Sequence, residues 1–366
     1  MVATDLKQLD RRPIPSSPGE IRLLAHVRNE SARLPHFLSH HRALGVDRFL
    51  VIDNGSRDGS VEFLLAEPDV HVFYTEESYR EQRAVWKRTL LDRWCMDHWT
   101  LQLDADELFV YPHHESAGLR QFCDALESEG ARGVHAVMID MYGEDPIDRN
   151  IYAPGQPFLE ACPYFDANGY RIDWFSRRKR ARTRLMPPFQ IRGGMRERLF
   201  FPPEAISTRL AAFVGRWFWD IRARRPRGGP AWKLLRRAVR RTAGRSAPSL
   251  SKVPLLRWGS EIRIEDAEAA AFHAVTPPIP LSACWAGILH FKFLGDFPER
   301  VADAVARGQH AGGAAEYRRY QRHLDGGGLW AHGAMTRRYE SSESLLEAGL
   351  LRSTPAWDQV AGRVHD

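Results

Sequence analysis

Residues 99–111 read Trp-Thr-Leu-Gln-Leu-Asp-Ala-Asp-Glu-Leu-Phe-Val-Tyr, and their reading decides the fold. Leu101 and Leu103 are apolar; Asp104, Asp106 and Glu107 then put three carboxylates into four positions, and Leu108 to Tyr111 resume an apolar, β-prone run. A strand buried on both faces is continuously apolar, so an acidic interruption marks a strand end. Side chains two apart in an extended segment point the same way, which puts Asp104 and Asp106 on one side. Carboxylates so close repel and raise one another's pKa unless a cation lies between them. A hard divalent ion, Mn²⁺ or Mg²⁺, completed by substrate phosphates and water, is the expected occupant. The plainer alternative is a solvated turn whose aspartates cap the next helix.

Working outward, residues 20–28 read as a strand ending at Arg28, followed by a helix from about Ser31 to Leu44 with Gly45 as its stop. A second strand, Arg48 to Ile52, runs into the turn 53–60, where Asp58 is the expected N-cap of a helix from Val61 to Ala66. A third strand covers Val70 to Tyr74, and a helix covers 79–97 with Trp86, Leu90, Leu91 and Trp94 on one core-facing stripe. After the acidic strand end come a helix near Leu119 to Ser128 and a strand near Val134 to Met141. Such alternation predicts βαβ units, an α/β fold and a mostly parallel sheet flanked by helices. Ligands of such sheets bind beyond the carboxyl ends of the strands, where Arg28, Asp53 and Asp104/Asp106 fall. No Gly-x-Gly-x-x-Gly and no Walker Gly-Lys-Ser/Thr loop is present, which argues against a dinucleotide dehydrogenase and a P-loop NTPase.

Composition is that of an ordinary soluble chain: 366 residues, 43% hydrophobic and 27% charged. No apolar run approaches the roughly 18 residues of a membrane span. Residues 1–19 lack an apolar signal core and read as a disordered leader. Four scattered cysteines, Cys95, Cys123, Cys162 and Cys284, read as buried thiols of a reducing compartment, hence cytoplasmic. The net charge of +6 is local: residues 215–245 hold eleven Arg or Lys against Asp220 alone.

The stretches "RNE…LPHFLSHHRALGVDRFLVIDNGSRDGS" and "WTLQLDADELFVYP" resemble the family 2-like nucleotide-sugar glycosyltransferases, strongly over residues 20–142. Beyond these the resemblance continues in islands, "QIRGGMRERLF" (190–200), "KVPLLRW" (252–258) and "GILHFKFL" (287–294). It implies a GT-A, Rossmann-like catalytic domain over 20–296 and leaves 297–366 as a small helical extension. It implies a UDP- or GDP-type sugar donor, with Asp53 on the base, Arg28 near the nucleotide and Asp104 toward the ribose or the metal. Asp106 and His290 would ligate the metal with Asp104, Glu107 would support them, and Lys292 would neutralise the leaving diphosphate. Gly193 and Gly194 would let backbone approach the donor sugar. Transfer with inversion needs a carboxylate base for the acceptor hydroxyl; Glu197 is the first candidate and Asp145 the next, with Glu144 and Asp173 behind them.

Residues 213–247 combine Phe213, Trp217, Phe218, Trp219 and Trp232 with the arginines and read as a basic insertion. Aromatics among arginines suit an anionic bilayer surface, which gives two readings: peripheral attachment to the inner face of the plasma membrane, with a saccharide or lipid-linked acceptor, or a mobile basic loop. No recognised nucleic-acid module accompanies the charge. Two rival readings remain: a metal-dependent nucleotidyltransferase or phosphohydrolase using the same carboxylates, and a non-catalytic nucleotide- or membrane-binding protein.

Overall fold

Strand and helix alternate through the first 140 residues as the sequence pattern predicts. In the computed structural model, residues 5–202, 220–222, 248–265, 274–308 and 311–362 are described. The chain runs β1 (Lys7–Gln8), β2 (Arg22–Val27), α1 (Leu34–Leu44), β3 (Arg48–Asp53), α2 (Ser60–Ala66), β4 (Val70–Tyr74), α3 (Tyr79–Trp94) and β5 (Trp99–Asp104). Next come β6 (Glu107–Val110), α4 (Leu119–Ser128), β7 (Gly133–Asp140), α5 (Phe158–Ala161), β8 (Tyr164–Asp166), β9 (Arg171–Trp174), α6 (Arg177–Thr183), β10 (Phe189–Arg192) and α7 (Gly194–Phe200). Then follow β11 (Ser251–Arg257), β12 (Arg263–Glu265), β13 (Ala274–Thr276) and β14 (Leu281–His290). Last are α8 (Phe297–Arg307), α9 (Ala311–Leu324), β15 (Thr336–Arg338), α10 (Ser342–Glu347) and α11 (Pro355–Val360). The basic insertion expected at 213–247 lies outside the described residues apart from 220–222.

The molecule is mixed α/β, with a large, mostly parallel central sheet flanked by helices. The nine strands lie in the order β1-β4-β3-β2-β5-β11-β7-β14-β6. Six of them, β4, β3, β2, β5, β7 and β14, run in one direction, while β1, β11 and β6 oppose them. Alternate residues feed two cores. Leu23, Ala25, Phe49 and Val51 face Leu34, Phe37 and Leu38 of α1 with Phe122 and Leu126 of α4, while Leu24, Leu50 and Ile52 face Trp86, Leu90 and Leu91 of α3. Burial on both faces explains why these strands read as unbroken apolar runs.

The geometry of the site follows from one connection. β5 ends at Asp104 and β6 begins at Glu107, yet β11, β7 and β14 lie between them in the sheet. In a flat sheet four strand spacings would separate β5 from β6 by about 19 Å, whereas three Cα steps reach at most about 11 Å. The strand ends must therefore converge at this edge, and the Phe291 N–H donates to the Asp106 carbonyl at 2.8 Å. The same edge carries the carboxyl ends of β2, β3, β5, β7 and β14, together with the beginnings of the opposed β6 and β11. Asp53, Asp104, Glu107, Asp140, Lys252 and His290 are thus gathered along one rim.

Two expectations change. Residues 5–19 are not a disordered leader: β1 pairs with Tyr74 and Phe73, and Asp10 Oδ2 lies 2.8 Å from His71 Nδ1. A pattern of charge and proline cannot show that Asp10 has a buried partner 61 residues away. Helix α2 starts after Gly59, at φ 90°, and Asp58 Oδ1 accepts from the Ser60 N–H at 3.1 Å.

The C-terminal helices belong to the same body. Trp357 of α11 is 0% exposed, packs edge-on against Phe122 at 5.0 Å and donates from Nε1 to the Pro112 carbonyl at 2.8 Å. Trp357→Ala is expected to cost about 3–5 kcal/mol in urea unfolding, the usual range for an emptied aromatic site; a loss below about 1 kcal/mol would show that α11 does not support the core.

Candidate active site

A cleft of about 640 Å³ opens at the rim where those strands end. One wall is Val27 at the end of β2 and the loop after it, with Arg28, Asn29 and Glu30, joined by Asn54 and Tyr79; the floor is Asp104 to Glu107 with His290 and Lys292. The far wall is α8 and α9, through Glu299, Arg300, Asp303, Arg307, Glu316 and Tyr317. Eight carboxylates line it against six lysines and arginines, a balance that favours a cation within.

Asp106 is the focus. Its Oδ2 lies 3.6 Å from His290 Nε2, and the other ring nitrogen, Nδ1, lies 2.7 Å from Asp140 Oδ1. A carboxylate holding the back of an imidazole is the usual support of a metal-binding histidine. Arg196 Nη2 donates to the same Asp140 oxygen and lies 2.8 Å from His290 Nδ1, so the three groups meet in one cluster. Burial alone would raise the pKa of Asp106, but His290, Arg300, Arg33 and Lys292 outweigh it and hold the carboxyl well below its ordinary range. Asp140 is likewise held down, to about 2: burial opposes this, while Arg196 and His290 bring it about. Asp106, Glu107 and His290 form the group whose ligand atoms lie within 4.8 Å of one another, the one such group among the described residues. Its oxygen and imidazole donors fit a divalent ion of the Mn²⁺ type.

A second layer ties the walls together. Glu30 accepts from Arg300 at 2.7 Å and from Arg33 at 3.3 Å, and Arg33 continues to Asp296 at 2.6 Å. Lys292 lies 3.5 Å from Glu316 and over the rings of Tyr317 and Tyr320 at 4.5 and 4.8 Å.

The structure brings Arg28, Asp104, Asp106, Glu107, His290 and Lys292 into one cleft and leaves Asp53, Gly193, Gly194, Glu197, Asp145, Glu144 and Asp173 outside its lining. Asp104 is not in the ligand group, because Ala105 and Asp106 form a turn and the two-residue alternation of a strand fails there. Its side chain is 52% exposed and lies 3.7 Å from Lys252. Asp53 is 0% exposed, with Oδ1 accepting from the Ser56 N–H at 2.9 Å. Gly193 and Gly194 serve packing: a Cβ on Gly193, at φ 121°, would meet the Gly169 carbonyl at 2.1 Å, and one on Gly194 would meet the Tyr170 ring at 2.9 Å. Glu197 is buried and accepts from Arg171 at 2.7 Å, while Asp145 is exposed away from the cleft. Asp140, Lys252, Glu30, Arg300 and Glu316 were not singled out from the sequence. Asp140 alone carried a usable signal, an acid closing an apolar strand.

No protein-family model matches the chain, and no curated protein matches it in sequence. Solved structures match over part of it. A 4-diphosphocytidyl-2C-methyl-D-erythritol synthase shares 15% identity over 36% of this chain and 65% of its own, with a TM-score of 0.24. A UTP-bound UGPase from Acinetobacter baumannii shares 9% over 36% and 60%, with a TM-score of 0.23. The synthase from Anaerococcus prevotii DSM 20548 shares 12% over 35% and 58%, at 0.22. The chain thus spans less than two-thirds of each of these structures, and likeness at that level has no bearing on activity. The family remains unassigned.

Because Asp140 is ionised in the fold at pH values where it would take up a proton in the unfolded chain, it stabilises the protein above about pH 4, and this contribution is lost as pH falls toward 2. The stability gap between wild type and Asp140→Asn is expected to be widest near neutrality and to narrow between pH 4 and 2. Paired urea titrations at each pH measure it, and a gap independent of pH would contradict the assignment.

Proposed function

We propose that the chain is a metal-dependent glycosyltransferase that moves a sugar from a nucleotide-diphosphate donor to a hydroxyl acceptor with inversion. The observation that carries this reading is the meeting of Asp106 and His290, backed by Asp140, at the carboxyl ends of the strands and ringed by cations. Asp106 and His290 would hold the ion, which when bound offsets charge on a departing diphosphate. Lys292 and Arg300 flank Asp106 and add fixed positive charge where the phosphates would lie, and Arg28 and Arg307 extend it along the cleft. Such donors are placed in advance, so no reorganisation is needed as charge develops.

The acceptor's proton needs a carboxylate facing the cleft. Glu197 is committed to Arg171, so the role passes to the exposed acids of α8, Glu299 and Asp303. Nucleotidyl transfer or phosphohydrolysis with two ions would need a second cluster of ligands, and a single cluster exists among the described residues. No helix among the described residues is long and apolar enough to cross a membrane. A saccharide or lipid-linked acceptor, reached from the inner face of the plasma membrane, keeps the basic stretch 213–247 in play.

A thermal-shift screen of UDP- and GDP-sugars with and without Mn²⁺ tests the proposal. Stabilisation by one donor class that depends on Mn²⁺ is expected, with Asp106→Ala removing the Mn²⁺-dependent shift and lowering the donor-hydrolysis rate by about 100-fold or more. Stabilisation by nucleoside triphosphates alone would favour nucleotidyl transfer.

A further inference from the structure

The acidic turn already contains a cation of its own. Lys252, the second residue of β11, enters beneath the turn and is 6% exposed. Its ammonium pairs with Glu107 Oε1 and lies 3.7 Å from Asp104 Oδ2. The other Glu107 oxygen, Oε2, accepts from the Asp104 N–H at 3.1 Å. Both oxygens of Glu107 are therefore occupied within the protein. Asp106, by contrast, looks across to His290 and has no bond to Lys252. The three carboxylates of the turn divide into a pair served by an ammonium and one left for an exchangeable ion.

We infer that Lys252 is a positioning residue, a built-in counter-cation that takes the place a second divalent ion would occupy and so limits the cleft to one, held by Asp106 and His290. This rests on the metal reading proposed above. A buried ammonium without partners would be strongly destabilising, so Lys252 is retained only where two carboxylates face it. Burial alone would lower its pKa, but Glu107, Asp104 and Asp106 raise it above the ordinary lysine value. Paired ions in two-metal phosphoryl chemistry sit about 3.5–4 Å apart and share carboxylates. Here the carboxylates that would complete such a pair, Asp104 and Glu107, converge on Lys252 instead. The inference narrows the chemistry to schemes in which a single ion and fixed side-chain cations share the phosphate charge.

Equilibrium Mn²⁺ titration of the full chain, read by the electron paramagnetic resonance of free Mn²⁺, tests this together with thermal melts with and without Mn²⁺. Wild type and Lys252→Arg are expected to bind one Mn²⁺. Lys252→Met is expected to bind two and to melt early without Mn²⁺, with added Mn²⁺ restoring most of the lost Tm. A lysine with a merely structural role would leave the stoichiometry at one and lower Tm equally in both buffers, which would overturn the inference and leave the metal reading intact. Wild type binding two Mn²⁺ would overturn it as well, without any need for the variant to fold. Wild type binding none would overturn the metal reading itself and the inference with it.

Discussion

A buried carboxylate must have its charge answered, and Asp106 is where this constraint governs the molecule. It lies at a rim where strands from both halves of the sheet converge, and its charge is met by His290 and by cations drawn from the residue before α1, from α8 and from the segment after β14. None of those cations is near it in sequence. The two-residue link between β5 and β6 forces the convergence, because it cannot span a flat sheet. One short acidic turn thereby fixes the shape of the sheet edge and the position of the chemistry.

From this the polar architecture follows as a set of nested neutralisations. His290 is held from behind by Asp140, Asp140 by Arg196, and Glu30 by Arg300 and Arg33. Each of these buried charges has an opposite partner, as burial in low dielectric demands. The floor is thus rigid before any ligand arrives, and preorganised charge is the main electrostatic contribution a transferase can make to phosphate departure. The exposed acids of α8 stand on the solvent side of the same cleft, where an acceptor would enter.

Much of this was legible in the sequence, and the boundary is physical. The strands from Arg22 to Asp140 could be read because they are apolar on both faces, and three of them, β3, β5 and β7, close on an aspartate. Asp106 stood out within the acidic interruption of an apolar run, whereas His290 was reached only through the family resemblance. Asp104 was misplaced because alternation holds only while the backbone stays extended, and the chain turns at Ala105. Glu197 was misread because its partner Arg171 is brought beside it only by the β9–β10 hairpin, which local pattern does not reveal. The contribution of α8 and α9 was invisible for a related reason: helical periodicity shows which face is buried, not what that face lines. Lys252 lay inside a quoted motif, yet only the start of β11 beneath the acidic turn gives it a role.

The central claim, a divalent ion gripped between Asp106 and His290, is tested most directly by anomalous diffraction from crystals grown with Mn²⁺ and a nucleoside diphosphate. A single manganese peak within bonding distance of Asp106 Oδ2 and His290 Nε2, bridging to the phosphates, is the predicted result. A peak elsewhere, or phosphates bound in the cleft with no manganese beside Asp106, would contradict it.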